Sequence, residues 1–284
     1  MVRDSGSPRV DAESDFLRAR RHQVLSGLAA RLRNDTDDVV QSMSFDDVVE
    51  ALGRRAENYL GTKVIPLEAI VGSVDKERDF DRRFRPTSAR SRQRWERLAR
   101  ASRTGEIIPP IDVYQVGDYY FVSDGHHRVS VARSMGLDLI EARVTAIDTF
   151  LAPVGIGARA DLELKHWRRL MLQRVPFTGE ARAAVAVDKP FDYGVIAETV
   201  EAWAARMMHA EGAYMDKATM AARWYAEEFQ PVVEMIEDAG VRGKDERPAE
   251  AYLRVACERY RLIREHEWNA EIMDAVRRKG KKRR

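Results

Sequence analysis

The chain of 284 residues is long enough for two domains, and its 48 lysines and arginines against 46 aspartates and glutamates leave a net charge of only +2, which by itself does not indicate a nucleic-acid-binding protein. Its single cysteine, Cys257, excludes an intrachain disulfide and a cysteine-rich zinc site, and we expect it to be a small core residue of a helix. No apolar run approaches the ~20 residues that span a bilayer, and the N-terminus lacks the charged-then-apolar order of a signal peptide, so we expect a cytoplasmic protein without membrane contact.

The N-terminal part of the chain predicts helices. Residues 1–13 are polar and without periodicity, and we expect a disordered lead-in there. From Ser14 on, apolar residues recur at helical spacing, and Ser44 is suited to cap a second helix that continues to Leu52. We therefore expect N-terminal helices over residues 14–60.

The middle of the chain predicts a small sheet. A short strand is predicted over Thr62–Leu67, with Pro66 placing it at an edge or ending it. Two further strands, Pro110–Val116 and Tyr119–Val122, flank Gly117 and Asp118, which is the pattern of a hairpin with a two-residue turn. A last strand over Leu139–Ala146 alternates apolar and polar residues and closes the sheet.

The residues that most strongly indicate a functional site lie between the hairpin and the next helix. It reads Ser123-Asp-Gly-His-His-Arg128. Gly125 lets the backbone approach a ligand closely, and the free N–H groups at the start of the following helix favour an anion there. Asp124 could cap that helix, hold a metal ion or orient a histidine. The alternative is a capped turn whose polar side chains face water, because Asp-Gly is a common turn dipeptide.

The residues Asp124–Arg128, preceded by a hairpin and followed by a helix, Gly136 and another strand, resemble a motif of the ParB/sulfiredoxin-like fold. The motif variant DGHHR resembles that of ParB-like free serine kinases. The resemblance extends over about Thr62–Asp148. It implies that the loop lies against the phosphates of a bound nucleotide, either ATP, ADP or CTP, together with Mg²⁺. Sulfiredoxin-like chemistry is not expected, because histidines stand where that group has its cysteine.

The resemblance also implies roles for individual residues. His126 and His127 become catalytic candidates, Asp124, Gly125 and Arg128 become phosphate-binding candidates, and Asp124 is a possible Mg²⁺ ligand. The charged segment Asp75–Pro86 is either a surface loop or the loop that closes over the nucleotide. In the second case Asp79 and Asp81 are candidates for a catalytic or Mg²⁺-binding carboxylate, with Glu77 and Glu68 behind them, and Arg85 is a candidate phosphate ligand.

An arginine-rich block follows that segment. From Arg82 to Arg103 there are nine arginines and one acidic residue, Glu96. On the predicted helix around Trp95, three of the arginines form one stripe: Arg90, Arg94 and Arg97. Such a block is typical of a surface that contacts DNA or another polyanion, and pairing with acidic residues elsewhere in the fold is an equal alternative.

Beyond Asp148 the sequence predicts helices and almost no strand. Methionine and tryptophan in these helices are expected in the core, with no ligand site there. The stretches Trp224–Val233 and Arg247–Leu253 are similar to a helical domain often found behind ParB-like domains, and they could serve a protein partner or self-association. Residues 279–284 are a basic tail suited to weak polyanion contact.

These patterns together predict an α+β fold, with a small ParB-like mixed sheet flanked by N-terminal helices and an all-α C-terminal domain. The expected divisions are a lead-in (1–13), N-terminal helices (14–60), a nucleotide-binding domain (61–148), a helical domain (149–278) and a basic tail (279–284). The expected function is a nucleotide-dependent phosphotransferase or an NTPase switch. The alternative is a non-enzymatic DNA-binding or partition-type regulator.

Overall fold

The computed structural model describes residues 5–32, 43–74, 80–81, 83–156 and 159–263. Its contacts divide the chain into two compact units, Met1–Leu162 and Glu163–Arg284. Within the described residues no helix is long and apolar enough to cross a membrane. Three predicted features lie outside them, namely Glu77, Asp79 and the basic tail 279–284.

The first unit starts with helix α1, Pro8–Leu32, which begins at Pro8 and not at Ser14, so this part of the predicted lead-in is helical. The early start has a physical cause, because proline suits the first turn of a helix and the Asp11 carboxylate accepts the backbone N–H of Ser5 at 3.0 Å. A two-residue strand β1, Met43–Ser44, leads into helix α2, Phe45–Leu52, as the sequence predicts.

A six-stranded mixed sheet forms the centre of this unit, which confirms the predicted α+β class. Its order is β1-β3-β5-β4-β6-β2. The further strands are β2 (Arg54–Pro66), β3 (Ile70–Ser73), β4 (Ile111–Val116), β5 (Tyr119–Asp124) and β6 (Leu139–Thr149). Strands β1 and β5 run parallel to β3, and β6 runs parallel to β4. The pairs β4/β5 and β2/β6 are antiparallel, the first being the predicted hairpin.

Strand β2 corrects the expectation of helices up to residue 60. It pairs with β6 from Arg54↔Thr149 to Pro66↔Leu139. Residues 54–60 of β2 are all exposed, so this part of its sequence lacks the alternation that would have indicated a strand. The part from Thr62 to Pro66 agrees with the predicted strand and lies at an edge of the sheet. Pairing with β6 decides the conformation here, since strand propensity depends strongly on the partner strand. A register shift between Tyr59 and Gly61 marks a bulge, where Gly61 has a φ of 80°.

Two helices pack beside the sheet and face each other. They are α3, Arg92–Thr104, and α4, His126–Ser134. Trp95 of α3 is fully buried, lies edge-on to Phe16 of α1 at 5.6 Å, and donates its indole N–H to Ser130 Oγ of α4 at 2.8 Å. Val129 of α4 joins the apolar side chains of the sheet in one core. The start of α4 is therefore fixed against the ends of the strands.

The second unit is helical, as the sequence predicts. The helices are α5 (Arg159–Arg174, whose first residues belong to the first unit), α6 (Gly179–Ala184), α7 (Pro190–Glu211), α8 (Lys217–Trp224), α9 (Gln230–Asp238) and α10 (Pro248–Ile263). A π-helical turn, Tyr225–Phe229, joins α8 to α9. Trp224 is fully buried and contacts the rings of Phe177, Phe229 and Tyr252, consistent with the expected core role of tryptophan.

Cys257 departs from its expected core position because it is exposed. The buried positions of α10 include Tyr252, Val255 and Arg259, which recur at three- and four-residue spacing. On the helical wheel Cys257 lies on the face opposite these three residues, and its side chain therefore points away from the buried stripe.

Candidate functional site

The candidate site lies where two parallel strands end and α4 begins. Ser73, the last residue of β3, pairs with Val122 of β5. The Val74 N–H donates to the Val122 carbonyl at 2.9 Å, which holds the chain beyond β3 beside β5. Strand β5 ends at Asp124, and Gly125 turns the backbone directly into α4. Parallel strands thus deliver two polar segments to one edge of the sheet.

Gly125 is required by the core. Its φ is 105°, and a Cβ at this position would lie 2.5 Å from Cγ2 of Ile111 and 3.0 Å from Nε of Arg128. Ile111 is fully buried at the start of β4. The sequence predicted that Gly125 lets the backbone approach a ligand, but the atom nearest to an added Cβ belongs to a core isoleucine.

His126 is buried and hydrogen-bonded. Its Nε2 lies 2.6 Å from the Oγ of Ser73, and the two residues are 7% and 2% exposed. The rings of Phe80 and Phe84 stack near the imidazole, with centroids at 6.3 and 6.0 Å. The alternative interpretation, a turn whose polar side chains face water, therefore does not hold for His126, because β3 and two phenylalanines enclose it. Ser73 was missed by sequence reasoning, since only its place at the end of a short apolar run singles it out.

His127 is the histidine with more access to solvent. Its side chain is half-buried, and the edge of its ring meets Phe80 at 5.0 Å. Phe80, which follows Asp79 in the sequence, lies beside both histidines. The two adjacent histidines thus have different environments, one enclosed and one at the surface.

Arg128 stabilises the loop through hydrogen bonds and an ion pair. Its Nη1 donates to the carbonyl oxygens of Pro109 and Pro110 at 2.9 and 2.6 Å. Its Nη2 forms an ion pair with Asp124. The guanidinium side chain is only 13% exposed, whereas Asp124 is 60% exposed. Arg128 therefore holds the segment that precedes β4 against α4, which the sequence did not predict.

The N-cap residue of α4 is Gly125, which has no side chain that could cap the helix. The first turn of α4 contains no acidic residue. Asp124 is the candidate that could have capped it, but its carboxylate is directed to Arg128. The first N–H groups of a helix carry a partial positive charge that favours an anion.

Asp81 has a structural position. It is 3% exposed, and its carboxylate accepts the backbone N–H groups of Arg83 and Arg85 at 3.0 and 2.9 Å and the Arg85 Nε at 2.8 Å. These bonds hold Phe84 at a φ of 57°, the only positive φ of a non-glycine residue in the described part of the chain. All of this argues against the predicted catalytic or Mg²⁺-binding role, because the carboxylate is enclosed and already satisfied.

Arg85 is likewise directed away from the start of α4. Besides Asp81, it donates Nη1 to the His22 carbonyl and the Ser26 hydroxyl of α1, both at 2.9 Å. Its predicted role as a phosphate ligand therefore does not match the contacts that it makes. Glu68 is exposed on a 3₁₀ turn, Leu67–Ala69, that precedes β3.

The arginine-rich block divides into paired and exposed residues. Arg92 forms ion pairs with Glu13 and Glu96, and Arg103 pairs with the buried Asp15. The hydrogen bond and charge of Glu96 raise the pKa of Arg92. The remaining arginines of the α3 surface are exposed and form no ion pair among the described residues: Arg90, Arg94, Arg97 and Arg100. Pairing with acidic residues therefore holds for Arg92 and Arg103, and polyanion contact stays a prediction for the four exposed arginines.

Metal ligands do not converge in the described part of the chain. No three histidine, cysteine, aspartate or glutamate side chains there lie close enough to hold a metal ion. Asp124, the predicted Mg²⁺ candidate, is an exposed carboxylate that would need ligand oxygens to complete a coordination sphere.

Residues 57–152 match the family model of the ParB N-terminal domain. This segment is a ParB N-terminal domain. It contains β2 to β6, α3 and α4, and a helical region follows it. No curated protein matches the chain.

Three solved structures are similar to the chain. Sulfiredoxin from Arabidopsis thaliana is 23% identical, with 29% of this chain and 82% of that chain covered and a TM-score of 0.24. The C2221 form of a Pnob8-like ParB-N domain is 11% identical, with 73% and 83% covered and a TM-score of 0.25. A pNOB8-like ParB N-domain is 12% identical, with 74% and 78% covered and a TM-score of 0.23. With such low scores, the domain assignment rests on the family match.

Proposed function

We propose that the ParB N-terminal domain binds a nucleotide with its phosphates at the start of α4 and uses it for phosphoryl transfer or as a hydrolysed switch. The observation that carries this proposal is the N-terminus of α4, whose N-cap is Gly125 and whose first turn carries His126 and His127 and no acidic residue. A helix N-terminus offers several N–H donors and about half an elementary positive charge, which suits a phosphate.

The side chains around this terminus have complementary roles in the proposal. Ser73 fixes the imidazole of His126, so the backbone N–H groups of the first turn are presented in one orientation. His127, half-buried beside Phe80, is the histidine whose ring can reach a ligand and give it a hydrogen bond or a proton. Arg128 adds positive charge while it holds the loop in place.

Asp124 is the candidate Mg²⁺ ligand in this proposal. Its carboxylate is exposed next to the α4 N-terminus and could hold Mg²⁺ together with phosphate oxygens of the nucleotide. In phosphoryl transfer, positioning and charge neutralisation supply most of the catalysis, and a bound Mg²⁺ would supply part of that neutralisation. Asp79 remains the candidate for the second carboxylate, because it precedes Phe80 in sequence and Asp81 is enclosed.

A second candidate function is DNA binding, and the exposed arginines of α3 favour it. Arg90, Arg94, Arg97 and Arg100 are exposed and form no ion pair with the described residues, whereas Arg92 and Arg103 do. Cations in such a row neutralise successive phosphates of a nucleic acid. This function and nucleotide binding use different surfaces, and they can be tested separately.

The nucleotide proposal is tested by thermal denaturation of the full chain with each nucleoside tri- and diphosphate, with and without Mg²⁺. A ligand at 100 times its Kd should raise the free energy of unfolding by about 2.7 kcal/mol. A raised melting temperature with one nucleotide is the expected result. If no nucleotide shifts the transition of a monodisperse sample, the proposal fails.

The DNA candidate is tested with duplex DNA at several salt concentrations. Expected are an affinity that falls steeply with salt and a loss of binding in the Arg94→Ala/Arg97→Ala variant. The matched control is Arg54→Ala/Arg55→Ala, which removes the same charge from β2. Equal loss in both variants would show that overall charge, and not the α3 surface, is responsible.

A further inference from the structure

A cleft lies beside the C-terminal half of α4. It is a cleft of about 610 Å³ between α1, the turn 83–85 and the C-terminal part of α4. Its charged lining residues are Arg18, Arg83, Arg85, Arg133, Asp15 and Glu68. The volume is in the range of about 300–1,000 Å³ that small-molecule sites occupy in proteins. Four arginines against two carboxylates make this cleft positively charged.

The arginines of the cleft differ in how their charge is balanced. Arg85 pairs with Asp81 at 2.7 Å, and Arg18 lies 3.4 Å from Asp15. Arg83 and Arg133 form no ion pair with any of the described residues, and Arg83 is exposed. The positive charge that is left without a counterion therefore belongs to these two side chains.

Arg133 is held firmly but its charge is not neutralised. Its Nη2 donates to the carbonyl oxygens of Leu67 and Ile70, both at 2.7 Å, and its guanidinium lies 5.1 Å above the ring of Phe84. Burial lowers the pKa of Arg133, the charge of Asp81 raises it, and the charge of Arg83 has a smaller lowering effect. An anion beside both guanidinium groups would stabilise the buried charge of Arg133 and offset its repulsion from Arg83.

This cleft is separate from the start of α4. Arg133 follows His126 by seven residues, which is about 10 Å along a helix axis. Phe84 stands between the two places, with its ring against His126 on one side and under Arg133 on the other. A phosphate at the α4 N-terminus would therefore leave the cleft free.

We propose that the cleft binds a small molecule carrying a phosphate group, with the guanidinium forks of Arg83 and Arg133 as its anchors and the hydroxyl of Ser134, which lines the same cleft, as a further donor. Arginine suits this role because its planar fork binds phosphate oxygens through two parallel hydrogen bonds. The proposal stands independently of nucleotide binding at the α4 N-terminus.

The test uses inorganic pyrophosphate as the probe and the full chain as the sample. Isothermal titration compares wild type with Arg83→Ala, Arg133→Gln and, as a matched exposed arginine outside the cleft, Arg55→Ala on β2. Loss of one charged hydrogen-bond partner should weaken pyrophosphate binding by at least about tenfold in Arg83→Ala, with no change in Arg55→Ala. Phenylglyoxal modification followed by mass spectrometry should show Arg83 protected by pyrophosphate and Arg55 unprotected.

The variant outcomes separate this cleft from the other site. Arg133→Gln removes hydrogen bonds to two carbonyl groups and can unfold the chain. Arg83 is exposed, so Arg83→Ala should stay folded, and its pyrophosphate affinity alone decides whether the proposal holds. Wild-type affinity in Arg83→Ala, equal loss in Arg55→Ala, or no pyrophosphate binding at all would overturn the proposal. Loss in His127→Ala with none in Arg83→Ala would also overturn it, and would place the anion at the α4 N-terminus.

Discussion

Gly125 and Ile111 are in such close contact that no side chain fits between them, since a Cβ on Gly125 would lie 2.5 Å from the isoleucine Cγ2. The glycine also has a φ of 105°. We predict that Gly125→Ala destabilises the fold by about 3 kcal/mol, from about 1–2 kcal/mol for the backbone conformation and about 1–3 kcal/mol for overpacking. Chemical denaturation measures this loss.

The matched control for that prediction is Gly136→Ala. Gly136 also has a positive φ, 73°, but nothing lies within 4 Å of the position its Cβ would take. This substitution should lose only the backbone part, about 1–2 kcal/mol. Equal losses in the two variants would mean that Ile111 is not the cause.

Asp81 should contribute to stability and not to chemistry. We predict that Asp81→Ala lowers the free energy of unfolding by about 3–5 kcal/mol, because it leaves the buried Arg85 guanidinium without its counterion and releases the turn around Phe84. Denaturant titration of this variant and of Asp46→Ala, an exposed aspartate on α2, gives the comparison. A fully stable Asp81→Ala variant that binds nucleotide but has lost turnover would restore the catalytic role.

Ser73 should act through His126. We predict that Ser73→Ala loses about 1 kcal/mol of stability with the hydrogen bond to the buried imidazole, and that it also weakens nucleotide binding because the start of α4 is no longer held. Ser123→Ala is the matched control, since its hydroxyl bonds the Asp112 carbonyl on the neighbouring strand and does not contact the histidine. Nucleotide affinities of both variants are compared by titration. Should both variants keep wild-type affinity, Ser73 has a purely structural role.

Magnesium dependence tests the proposed role of Asp124. We predict that Asp124→Asn binds a nucleotide without Mg²⁺ at least as tightly as wild type, because the variant removes a negative charge beside the phosphates. In the presence of Mg²⁺ the variant should lose the gain in affinity that wild type shows. An identical Mg²⁺ effect in both proteins would contradict Asp124 as a ligand.

Local patterns explain what could be predicted from the sequence. The hairpin, the glycine turn into α4 and the helical second unit depend on periodicity and on turn residues that lie next to each other. The link between Ser73 and His126 spans 53 residues, and that between Arg128 and Pro109 spans 19. Such contacts arise from strand order, which no local pattern encodes. The same reason explains β2, whose exposed side chains gave no alternation.

The most direct test of nucleotide binding at the α4 N-terminus is the dissociation constant of a non-hydrolysable nucleoside triphosphate with Mg²⁺, measured by isothermal titration for wild type and His127→Glu. The added carboxylate lies in the first turn of α4, where it should repel the phosphates while favouring the helix. The matched control, His209→Glu, changes charge at an exposed position in the last turn of α7.

We expect His127→Glu to remain folded and to bind at least about tenfold more weakly, because the substitution places a negative charge beside the negatively charged phosphates. His209→Glu should bind as wild type does. Wild-type affinity in a folded His127→Glu variant, for the nucleotide that binds wild type, would contradict the account.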